Sequence, residues 1–173
     1  YGTGLTSAFV EEASDIGLTV VGVETYHRDA ALDLSAAVDA LHALEPEIIF
    51  IAGLYSEAVL IAKDTRSKGL ATPFIGGDAV LSEALVDRGG EAVEGMMMTT
   101  PFVVHASVGG VEAQEFARSF LETHGRPADT WAALAYDAAN QILDAIGEVG
   151  ADRTLIRDRF AQTTSLEVAF RGI

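Results

Sequence analysis

The feature that most constrains the fold is a regular exchange between stretches of helical periodicity and short β-rich runs. Leu5, Ala8, Phe9, Ala13 and Ile16 share one helical face that stops at Gly17, and the apolar run 18–23 then reads as a buried strand. A second amphipathic stretch carries Leu34, Ala37, Val38, Leu41 and Leu44, ends before Pro46 and leads into a strand over 48–52. Gly53 closes that strand, Ser56 is placed to cap a helix running to Gly69, and 73–76 forms the third strand. A minor helix over 82–88 precedes a fourth strand over 96–100 and a loop with Pro101, Gly109 and Gly110.

Two longer helices follow. One carries Ala113, Phe116, Ala117, Phe120 and Leu121 and ends near Gly125; the other carries Trp131, Leu134, Ala135, Ala138, Ala139, Ile142 and Ile146, with Asp129 or Thr130 as its cap. A last helix spans 152–163 and leaves a tail over 166–173 that could start another strand. Such βα alternation predicts an α/β fold, one Rossmann-like lobe with a mostly parallel sheet flanked by helices, over residues 1–173 and without an internal linker. The N-terminus opens directly into a helix, although a βα unit needs a strand before it, so the chain reads as a fragment or as one trimmed lobe.

Bulk chemistry narrows the function. With 173 residues, 49% of them hydrophobic and 21% charged, the chain can bury one good core. A net charge of −15, spread along the sequence, argues against DNA or RNA as partners. No apolar run approaches the roughly 20 residues that span a bilayer. Cysteine is absent, which removes disulfide and thiolate chemistry and leaves the compartment unread.

Catalytic signatures are missing. There is no G-x-S-x-G elbow and no G-x-x-x-x-G-K-[ST] loop, and His27, His42, His105 and His124 lack any ligand spacing; His42 reads as a solvated helix residue. Met96, Met97 and Met98 alternate between faces of a strand, so they read as buried filler and not as a metal site. Phe116 and Phe120 have the spacing of a core face. The opening GTGLTS, with Gly2, Gly4 and Ser7, is a broken dinucleotide fingerprint, and Glu24 falls about where a ribose-binding acid would lie. Its third glycine is replaced by Ser7 and its upstream strand is missing, so a tight helix start explains it better. No cofactor and no metal are expected.

Two loops remain. Asp78 follows the run PFIGG at the carboxyl end of a strand, the edge at which open α/β sheets bind ligands, though Gly-Gly-Asp is equally ordinary turn chemistry. The loop Gly53, Leu54, Tyr55, Ser56 flanks it on the same edge, and together they make a cleft with one carboxylate and apolar walls.

At these residues the sequence resembles the type I periplasmic binding proteins that serve branched-chain amino acid importers. The likeness begins with YGTGL at 1–5 and continues through DLSAAVDAL at 33–41, EIIFIAGLYSEAVLIAKDTRSKGL at 47–70 and PFIGGD at 73–78. EAVEGMMMTTPF at 91–102, FARSFLETHGRPADTWAALAYDAANQILDAI at 116–146 and FRGI at 170–173 complete it. The resemblance implies half of a fold in which two lobes close on a ligand, with the matched segments in the second lobe.

By position it implies that Tyr1 lines the cleft and covers the ligand, and that Asp78 holds the ammonium of a small amino acid. It places Leu54 where some leucine-binding members have a tyrosine, with Tyr55 beside it, so the wall offered here is aliphatic. It further implies a binding protein and not an enzyme, working in the periplasm or outside the cell, free or as a membrane-anchored lipoprotein, with a membrane permease as partner. The same two-lobed fold also serves ligand-sensing receptors and amide- or amino-acid-responsive regulators, and the fold does not decide between transport and sensing.

Overall fold

The computed structural model describes residues 1–27, 32–103 and 110–163. The expected tail over 166–173, the closing FRGI, His105 and Gly109 lie outside the described residues. The chain gathers into two compact units, Tyr1–Thr99 and Thr100–Ile173.

From α2 onward the first unit alternates as the periodicity predicts, its order being α1 (Gly2–Asp15), α2 (Ser35–His42), β1 (Ile49–Ile51), α3 (Tyr55–Ser67), β2 (Phe74–Gly76), α4 (Glu83–Gly89) and β3 (Met97–Met98). The strands pair in the order β1-β2-β3, all parallel, with Ile49 opposite Phe74 and Ile75 opposite Met97. They are shorter than the apolar runs that announce them, since a strand extends only as far as its ladder. Ile49, Ile51 and Phe74 turn onto Ala58, Val59 and Ala62 of α3 and onto Val80, Leu85 and Val93, which makes one continuous core. Each such side chain contributes about 1.5–3 kcal/mol when fully buried.

Polar ties hold the layers in register. At the end of α3, the Arg66 guanidinium donates to the carbonyls of Leu70 and Thr72 at 2.8 and 3.0 Å and lies over the Phe74 ring, which fixes the turn into β2. Lys68 reaches Asp39 on α2 and Asp64 on its own helix, both at 2.6 Å.

Three expectations need correction here. The run 18–23 forms no strand: it joins no ladder among the described residues, and Leu18 is 59% exposed. A Cβ on Gly22 would collide with Leu44, and one on Gly53 with the Tyr26 hydroxyl, so this extended segment lies against the α2–β1 turn and the exit of β1 without pairing. Apolar composition qualified it, but a strand also needs a hydrogen-bonded neighbour. His42 is half-buried, its Nε2 3.2 Å from the Thr65 hydroxyl of α3, and is therefore no solvated helix residue. Of the three methionines only Met96 and Met98 pack on the core; Met97 is 54% exposed, because the two-residue period sends it to the other face.

In the second unit the described elements are α5 (Val111–His124), α6 (Thr130–Val149) and α7 (Arg153–Ala161). α5 ends at Gly125, whose φ of 68° is the left-handed conformation that glycine adopts without a Cβ penalty. Asp129 caps α6 through the Ala132 N–H, and Asp152 caps α7 through the Thr154 and Leu155 N–H groups. Phe102, Ala113, Phe116 and Ala133 form a small core, with Phe120 packed against it as its spacing predicts. Thr100 and Thr130 both donate to the Phe102 carbonyl, at 2.8 and 3.2 Å, and their hydroxyls lie 2.9 Å apart.

A candidate ligand-binding edge

The parallel register sets Ile51 opposite Gly76, so the segments leaving β1 and β2 emerge at the same edge of the sheet. Two glycines shape the exit of β2. A Cβ on Gly76 would stand 2.9 Å from the buried Val80, and one on Gly77 would stand 2.6 Å from the Tyr1 hydroxyl and 2.7 Å from Leu5. With no side chain at either place, the chain folds tightly into a short 3-10 turn over Asp78–Val80, and α1 can lower Tyr1 onto it.

There the Tyr1 hydroxyl donates to Asp78 Oδ1 at 2.6 Å and accepts the Ala79 N–H at 3.4 Å. Although Tyr1 as a whole is 63% exposed, its hydroxyl is tucked against this turn. That desolvation, and then the bond to Asp78, pushes the phenol above its usual range. Asp78 itself is half-buried. Tyr1 and Asp78, 77 positions apart in the chain, are thus brought together as a donor and a carboxylate.

The start of α1 is equally close to β1. A Cβ on Gly2 would lie 2.7 Å from the Ala52 carbonyl oxygen, whereas one on Gly4 would meet nothing within 4 Å, and Ser7 bonds back to the Thr3 carbonyl. Gly2 therefore serves close helix–strand approach, which accounts for it without a phosphate cradle, and no neighbour requires a glycine at Gly4. Glu24 is exposed.

At the exit of β1, the N-cap position of α3 falls on Leu54 and not on the expected Ser56. The acceptor is Glu57, which takes the Leu54 N–H at 3.0 Å and the Ser56 hydroxyl at 3.1 Å on the same oxygen, Oε2. A carboxylate offers more lone pairs here than a serine hydroxyl and wins the first turn. Leu54 and Tyr55 are half-buried; the Tyr55 ring packs on the core with the Arg88 guanidinium 5.7 Å from its centre. The structure thus pairs Tyr1 with Asp78, sets Leu54 at the neighbouring exit and turns Tyr55 inward.

Glu57 was not foreseen as part of this edge. It is 1% exposed, and the readable signal was an acidic residue three places into a helix that follows a strand.

A family model of periplasmic binding proteins matches residues 1–170. The chain belongs to the periplasmic binding protein family. It is 30% identical over 102 residues to a Leu/Ile/Val-binding protein homolog of Brucella abortus, a match covering 57% of this chain and 26% of that protein. Among solved structures, a leucine-binding protein of Thermotoga maritima superposes with a TM-score of 0.86 at 31% identity, over 99% of this chain and 48% of the other.

A fatty acid ABC transporter substrate-binding protein of Thermomonospora curvata, 20% identical, superposes with a TM-score of 0.80 over all of this chain and 46% of its own; at that identity it speaks for the fold alone. The chain therefore spans about half the length of these solved structures. The resemblance to type I periplasmic binding proteins of the branched-chain amino acid group holds, as does the α/β fold with a parallel sheet. No helix among the described residues is long and apolar enough to cross a membrane.

Proposed function

We propose that the unit Tyr1–Thr99 supplies one wall of an interlobe cleft that captures a small amino acid, branched-chain or related, for the membrane permease of an ABC-type importer. The protein would act outside the cytoplasm as a binding protein and not as an enzyme. The hydrogen bond between Tyr1 and Asp78 at the carboxyl edge of the sheet carries the reading. It holds a carboxylate in place at the position where ligands of this sheet type bind.

An incoming ammonium group would pair with Asp78 in a charge-assisted bond of about 1.5–3 kcal/mol. Tyr1 keeps the carboxylate oriented and offers its ring as a cover. Leu54 presents aliphatic surface to an apolar side chain, and Tyr55 supports that wall from the core side. The fatty acid carrier shares the fold, so the ligand class rests on these residues and not on the architecture.

The test is a thermal-shift panel of amino acids and short amides on the full two-lobed protein. A branched-chain amino acid should raise the melting temperature, and Asp78→Ala should weaken its affinity roughly 10- to 100-fold. No stabilisation by any amino acid, or undiminished affinity in Asp78→Ala, would sink the assignment.

A further inference from the structure

Among the described residues Glu57 is the only buried carboxylate. In an open parallel α/β sheet, the helix following a strand aims its first N–H groups at the carboxyl edge. With a partial charge of about +0.5 from the helix dipole, that end attracts anions. α3 begins in this way, four residues after Ile51. The charge at its start is met from within: Glu57 Oε2 accepts the N-cap Leu54 N–H and the Ser56 hydroxyl, and the Glu57 Cβ lies 3.6 Å from the place a Cβ on Gly53 would occupy.

We infer that Glu57 sets the charge preference of this edge: it cancels the anion-attracting start of α3 and leaves Asp78 unopposed, so the edge takes the cationic end of a ligand and rejects the anionic end. The inference rests on the amino-acid reading above and adds a specificity residue to it. Glu57 touches no ligand and acts through the field and geometry of the Gly53–Leu54 loop. No basic residue lies within 52–57 or 77–82, and the Arg88 guanidinium near this edge lies over the Tyr55 ring.

A residue that merely fastens the loop would change stability and scale all affinities together. A residue that sets charge preference changes the ratio between ligands that differ by a cationic group. The probes are leucine and 4-methylpentanoate, which lacks the ammonium group, measured by calorimetry on the full-length protein. Glu57→Gln keeps an acceptor for the Leu54 N–H but removes the charge, and it should shift the affinity ratio at least about tenfold toward 4-methylpentanoate. Glu57→Asp, which keeps the charge, should retain the wild-type ratio.

If Glu57→Gln fails to fold, Glu57→Thr, a shorter neutral acceptor, is read by the same criterion. A ratio within twofold of wild type in the folded neutral variant, with Asp78→Asn altering it, overturns the role of Glu57 and leaves the amino-acid reading standing. A wild type that binds neither probe nor any amino acid overturns that reading itself.

Discussion

Two helices of the second unit and two of the first start in different ways. In Thr100–Ile173, α6 and α7 each begin on an aspartate whose side chain accepts first-turn N–H groups. In Tyr1–Thr99, the helices that begin at the carboxyl edge of the sheet, α1 and α3, have Tyr1 and Leu54 at their N-cap positions, and neither side chain bonds to its helix. The Tyr1 hydroxyl goes to Asp78 instead. At α1 the cap position thus carries a bond directed away from the helix, and at α3 Glu57 takes the capping role from inside the first turn.

The cores differ too. In the first unit, nine buried residues from strands and helices surround the sheet, whereas the second rests on Phe102, Ala113, Phe116 and Ala133. The largest effects should therefore come from matched deletions. Phe74→Ala, at a residue 1% exposed in mid-sheet, should cost about 3–5 kcal/mol, and Phe116→Ala, 8% exposed against Phe120 and Tyr136, should fall at or below the lower end of that range. Cavity cost depends on how far the surroundings can collapse, and a small helical core yields more easily than a sheet-backed one. Equal losses in urea unfolding would break the comparison.

Caps come next in size. Asp152→Ala should lower stability by about 0.5–2 kcal/mol, whereas Leu54→Ala, at a position with no side-chain cap, should cost only its half-buried apolar surface. Thr130→Val removes a buried hydroxyl that serves the Phe102 carbonyl and should cost about 1–3 kcal/mol. Denaturant midpoints for the three variants would rank them, and a Leu54→Ala loss as large as that of Asp152→Ala would erase the distinction between edge and non-edge helices.

Element type and order were legible because every βα unit in the described structure carries its own periodicity, and α3 and α6 run nearly as their apolar faces predict. Tertiary pairing was not legible. The run 18–23 has the composition of a strand and lacks a ladder, and Met97 differs from its neighbours only by which side of β3 it faces. At the candidate site, Asp78 could be picked out by its place after a strand, but its bond to Tyr1 spans 77 positions and no local pattern carries it. Glu57 and His42 were passed over for a related reason, since a charged or titratable residue inside a helix reads as solvent-facing until a second element covers it.

His42 gives the smallest effect and the sharpest sign. It lies in the last turn of α2, where a helix C-terminus favours a cation, and Asp39 and Asp64 act in the same direction. Burial against Thr65 opposes them, followed by the charges of Lys68 and Arg66, and the net effect holds the imidazole below its usual range. Since the folded value is depressed, the unfolded chain binds the proton more readily. The contribution is complete above the ordinary histidine value of about 6.5 and is lost as pH falls through the folded value.

The urea midpoint should therefore decline from pH 7.5 to 5.5, and His42→Gln, which can still bond to Thr65, should flatten that decline. Glu148, held below the usual carboxylate range by its bond to Arg159 in the second unit, also makes stability fall with acid, but only at the lower pH where carboxylates titrate. The first unit should thus begin to lose stability in the histidine range through His42, and both units lose more in stronger acid, through Asp33 in the first and Glu148 in the second. A decline between pH 7.5 and 5.5 that survives His42→Gln unchanged would mean that some other group sets it.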